Sequence, residues 1–184
     1  VLPVALYGCE IWGFEDCSIV KRLHLKFCKY ILRIKSSTPT FMVYGELGEY
    51  TVDIDIKCRM SGFWLKLING KQTKYSCILY HILLYRFNAG LIKSDWISSV
   101  KRILVDSGFN NVWMYPTIFE SKWVTNAVKL RLRDQFLQSW YENVRISEKG
   151  INYRLYKKDF TFESYLNVLP FPLWNHVLKF RICN

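Results

Sequence analysis

LPVALYGCEIWGFEDCSIVKRLHLKFCKYILRIKSSTPTFMVYGELGEY, residues 2–50, decides the fold and reads as three helices in succession. In the middle one, Ile19, Leu23, Phe27, Tyr30, Ile31 and Ile34 recur at the spacing of a single helical face, and that face is expected to lie inward. Ser18 stands where a side-chain oxygen would cap the first turn. Arg22, Lys26, Lys29 and Arg33 form a basic row beside the stripe, with Lys21 and Lys35 farther round. The helix is expected to stop near Lys35, because the residue before Pro39 is biased out of the helical region. Pro39 suits the first turn of the third helix, with Thr38 as its cap, and Gly45 and Gly48 are its expected enders.

Working outward, residues 4–12 form the short first helix, after Pro3 and before Gly13. Downstream, Val52, Ile56, Met60, Phe63 and Leu67 mark a fourth helix, although TVDIDIK at 51–57 alternates as a strand would. A fifth helix, about 73–87, is apolar on nearly every side and is expected at the centre of the fold. Ser94 and Asp95 open a sixth, with Trp96, Ile97, Val100, Ile103 and Leu104 inward. A loop is expected through Asn110 and Asn111 to Pro116. The longest helix, about 117–144, carries Phe119, Trp123, Ala127, Leu130, Leu137, Tyr141 and Val144 as its stripe. Three shorter helical segments, 151–159, 162–169 and 173–182, complete the chain.

The 184 residues suffice for one domain or two small ones, and 51% are hydrophobic and 17% aromatic, so a sizeable core is available. The formal charge of +11 favours an anionic partner, with phosphate the first candidate and a merely solvated basic surface the alternative. Six scattered cysteines with no C-x-x-C pair read as reduced core residues, which points to an intracellular protein of the nucleus or cytoplasm. The longest apolar run, 75–85, is interrupted by His81 and is shorter than the roughly 20 residues a membrane span needs, so no membrane partner is expected. A first residue that is not methionine and a last helix without punctuation lead to the expectation of a piece cut from a longer protein.

No catalytic constellation is visible. Asp53 and Asp55 are two apart, so a helix points them to different faces, where they read as solvated first-turn acids. His24 and Cys28 share a face, but zinc needs two further ligands, and the pair reads as core; so do His176 with Cys183, and His81 alone. There is no G-x-S-x-G and no phosphate-cradling glycine loop. The basic rows carry the functional signal: the 22–33 row, then Lys129, Arg131 and Arg133 on the long helix, then Arg154, Lys157 and Lys158 beside Tyr153 and Tyr156. Such rows make sequence-independent, salt-dependent contacts to phosphates, and neighbouring aromatics can stack on unpaired bases.

Leu2-Pro3, then YGCEIW at 7–12, then LHLKFCKYILRIKSSTPTFMVYGELG at 23–48 resemble reverse transcriptases of non-LTR retrotransposons, in particular jockey-like elements. WLKLI at 64–68 and FTFESYL at 160–166 look like the region after the polymerase core in that family. The resemblance covers most of the chain but is sharp only over about the first 70 residues. It implies a thumb and post-thumb region from an RNA-directed DNA polymerase. The Y-x-D-D palm motif, with its two divalent metal ions, would lie upstream, so no cofactor is expected in this chain. A family Cys/His cluster would lie downstream.

The fold expected is therefore all-α: a thumb-like three-helix unit at 1–50 and a larger helical region at 51–184, together a multi-helix bundle. The function expected is a fragment that binds an RNA template and DNA primer as a hybrid duplex, beside the rest of the parent polymerase and without activity alone. The expected contacts are Lys21, Arg22, Lys26, Lys29, Arg33, Lys35, Arg131, Arg133, Lys157 and Lys158. The alternative is a helical protein-interaction module, or a degenerate element remnant, with no nucleic-acid role.

Overall fold

The computed structural model describes residues 2–71 and 73–182, with nothing said of the Leu2 side chain. The fold is all-α: twelve helices lie among the described residues, and the sole β pairing there is an isolated antiparallel bridge between Leu47 and Phe162. In chain order the helices are α1 Leu2–Ala5, α2 Cys9–Trp12, α3 Ser18–Leu32, α4 Thr40–Leu47, α5 Val52–Ile68 and α6 Tyr75–Asn88. Then follow α7 Asp95–Asp106, α8 Asn110–Met114, α9 Ser121–Ile146, α10 Tyr153–Tyr156, α11 Tyr165–Val168 and α12 Phe171–Arg181. The alternating 51–57 stretch is helical, because the apolar residues beyond it continue at helical spacing.

The chain divides into two compact units, and neither is the expected 1–50 or 51–184. One comprises the residues up to Cys17 with Asp53–Leu132; the other comprises Ser18–Val52 with the residues from Arg133 onward. Helix α9 gives its first half to one unit and its second half to the other.

The first unit is built on α5. Ile56, Met60, Trp64 and Leu65 are fully buried there, as are Ile97, Val100 and Leu104 of α7 and Val124 and Val128 of α9. Trp64 donates from Nε1 to the Tyr80 hydroxyl at 2.8 Å and stacks on Trp113 with centroids 5.3 Å apart. Helix α7 behaves as its pattern predicts, with Ser94 accepting from the Ile97 amide at 3.4 Å as its cap. Helix α6 does not: only Cys77 and Tyr80 are buried, and the expected central helix lies at the surface. An all-round apolar helix requires cover, and within its unit that cover is incomplete. The expected 110–116 loop contains the short helix α8.

In the second unit, Cys28 and Leu32 of α3 meet Met42, Val43 and Tyr44 of α4, Trp140 and Val144 of α9, Tyr153 and Leu178. The inward face of α3 is thus rotated by about 100° from the expected one. His24, Cys28 and Leu32 are buried, whereas Tyr30 is 81% and Ile19 69% exposed, and Leu23, Phe27 and Ile31 are exposed too. Helix α4 packs so closely that Gly45 has no room for a side chain: an added Cβ would lie 2.5 Å from the Tyr153 hydroxyl and 2.9 Å from the Trp140 ring. Gly45 is therefore a point of close approach inside α4 and not its end. Gly48 ends it instead, in the left-handed conformation at φ 60°.

Beside this core lies a buried ion network. Glu46, 0% exposed, accepts from the Tyr165 hydroxyl at 2.6 Å and from Arg181 Nε at 3.2 Å. Arg181 Nη2 also reaches Glu163 at 3.1 Å, and Lys157 Nζ reaches the same Glu163 oxygen at 2.5 Å. Two acids and two bases therefore neutralise one another out of water, which holds α4, α11 and α12 together.

Candidate nucleic-acid interface

The basic row of α3 does not act as one ladder. Arg22 and Lys26 are exposed and have no carboxylate within ion-pair distance among the described residues; Lys21 is also exposed. Lys29 is turned back along the chain, and its ammonium donates to the backbone carbonyls of Ser36 at 2.5 Å and Thr38 at 2.7 Å. Burial lowers its pKa. Lys29 thus braces the loop after α3.

That loop matters because it positions the next two cations. α3 ends at Leu32, three residues earlier than expected, and Arg33 adopts a left-handed φ of 49°. Its guanidinium then lies over the Phe171 ring, 3.9 Å from the centroid, at the start of α12. Arg33, Ile34 and Lys35 line a cavity of about 520 Å³ together with Lys179 from the last turn of α12. The cavity therefore gathers basic residues from the ends of two helices, where the macrodipole favours cations. None of Arg33, Lys35 and Lys179 is paired with an acid among the described residues.

The other expected cations are dispersed. Arg131 is exposed on α9 and belongs to the first unit, whereas Arg133 belongs to the second and sits half-buried over Tyr50 at 4.7 Å. Lys157 is 2% exposed and spent on Glu163 and the Thr161 carbonyl, so it offers nothing outward and its expected role is corrected. Lys158 is exposed and donates to the Arg154 carbonyl at 3.2 Å.

Lys179 is the residue that the sequence pattern missed. The one available signal was its place in the basic last turn of a helix, beside Arg181. Nothing local distinguishes the two: Arg181 is half-buried in the ion network, where burial pulls its pKa down but the charges of Glu46 and Glu163 together hold it up.

Chemically, the arrangement places three cationic side chains around one cavity, with the Arg33 guanidinium laid over the Phe171 ring. It contains no nucleophile–base pair. The Cys28 thiol lies 3.7 Å from His24 Nε2, but both are buried, and burial pushes the thiol up to about 11. No group of three His, Cys, Asp or Glu able to hold a metal lies among the described residues, and Cys183 falls outside them. No described helix is long and apolar enough to cross a membrane. The class defined is an all-α protein with a basic cleft between two helix ends. Compared with known proteins, the chain matches no family model, no curated protein and no solved structure.

Proposed function

We propose that the chain is a nucleic-acid-gripping part of a larger polymerase of the non-LTR retrotransposon class, and that it holds a template–primer duplex without performing polymerisation itself. The observation that carries this reading is the convergence of Arg33, Lys35 and Lys179 on one cavity, with no paired acid among the described residues. The formal charge of +11 and the resemblance carried by residues 2–48 agree with it. Arg22 and Lys26 extend the basic surface along α3. The RNA template and DNA primer are the proposed ligands, and the palm with its metal ions belongs to the proposed parent.

Phosphate contacts of this kind release counterions, so affinity falls with salt at a slope of about 0.9 per phosphate engaged. Anisotropy titrations of a labelled RNA–DNA hybrid at several salt concentrations test the proposal. Lys35→Glu with Lys179→Glu should weaken binding and make the slope shallower by about 1.8. Unchanged affinity at low salt would remove the cleft from nucleic-acid binding.

A further inference from the structure

The surface of α6 carries a second feature, within the first unit and independent of the basic cleft. Tyr75, Leu79, Ile82 and Arg86 recur at steps of four, three and four residues, the period with which one helix meets another. All four are exposed, Leu79 by 65% and Ile82 by 52%. Leu79, Ile82 and Arg86 open on a groove of about 710 Å³ whose other walls include Phe14, Phe63 and Trp96. The seam runs over twelve residues, about 16 Å from first to last or three helical turns, and is too regular for scattered surface apolar residues.

Charge decides what fits there. Among the described residues, Arg86 is the one charged residue lining the groove. It has no carboxylate within ion-pair distance among the described residues, and a chain with 26 basic and 15 acidic residues has few acids to supply. An occupant that covers the apolar seam also covers Arg86, and a cation removed from water needs a partner. We propose that the α6 groove receives an amphipathic helix of a partner polypeptide, with leucine-class side chains on its buried face and an Asp or Glu set against Arg86. The apolar walls supply shape, and the cation fixes register and direction.

The test is a selection with the full chain as bait against a displayed library of three-heptad helices, randomised at the seam and flanking positions. The expected result is enrichment of apolar seams with an acid at one fixed flanking position. Repeating the selection on Arg86→Glu should move that position to Lys or Arg. A synthetic peptide of the enriched sequence should bind the parent chain, lose about tenfold or more on Arg86→Glu, and regain it when its acid is changed to Lys. Ile82→Asp, checked for retained helicity by circular dichroism, should abolish binding. No enrichment, or apolar sequences with no fixed acid, would overturn the proposal. So would a chain dimer that Ile82→Asp dissolves and the peptide does not displace, since the occupant would then be a second copy.

Discussion

Tyr80 shows how a single buried phenol ties stability to pH. Burial pushes it up to about 12, against the hydrogen bond from Trp64, which pulls it down. An unfolded tyrosine ionises near pH 10. Because the folded value is the higher one, the contribution of Tyr80 is fully present below about pH 10 and is lost as pH rises towards 12. Urea unfolding across that range should show stability falling, and Tyr80→Phe should remove one phenol's share of the slope. At neutral pH the same substitution should cost about 1–3 kcal/mol, because the Trp64 N–H loses its acceptor. Glu46 gives a second prediction at this scale. Burial raises its pKa, opposed by Tyr165 and then Arg181. Glu46→Ala leaves the Tyr165 hydroxyl without its acceptor and removes one of the two acids paired with Arg181, so thermal unfolding should report a loss of about 3–5 kcal/mol. Glu46→Gln should lose less, since an amide oxygen still accepts from Tyr165.

Among the elements, α3 carries the sharpest contrast between pattern and structure. It has two apolar arcs at the same helical period: Leu23, Phe27, Tyr30 and Ile31 on one side, and Leu25, Cys28 and Leu32 on the other. Periodicity identifies the helix but not which arc meets a neighbour, and the arc richer in large apolar side chains is the one left exposed. The faces are separable by experiment. Ile31→Ser should change stability within about 0.5 kcal/mol, whereas Leu32→Ala should cost about 2–5 kcal/mol, both read from denaturant midpoints. Helix α7 was legible throughout, because one strong stripe and a serine cap leave a single solution. Helix α6 was misplaced because an apolar composition says that cover is needed, not that this chain supplies it. Gly45 reads as a helix ender in sequence and is in fact a point of close approach, a distinction made only by Trp140 and Tyr153, about a hundred residues away. Gly45→Ala should therefore destabilise the second unit by about 1–3 kcal/mol through overpacking, measurable by calorimetry.

For the whole molecule, helical content and basic surplus were readable from residue types alone, since both depend on composition and local spacing. The candidate site was half-readable. Arg33 and Lys35 stood in an evident basic row, whereas Lys179 enters through tertiary folding, Lys157 leaves the surface for the same reason, and Lys29 is turned onto nearby backbone carbonyls. The division of the chain was the least readable feature, because no linker or composition shift marks it. It has a consequence for synthesis. α3 and α4 leave the ribosome ahead of their partners Trp140, Tyr153 and Leu178, which follow only after an insert of about 80 residues. At translation speeds of about 5–20 residues per second, that is a wait of roughly 4–16 s. During it the nascent chain carries a greasy, cationic hairpin with nowhere to go, and chaperones would meet that hairpin before any folded partner does.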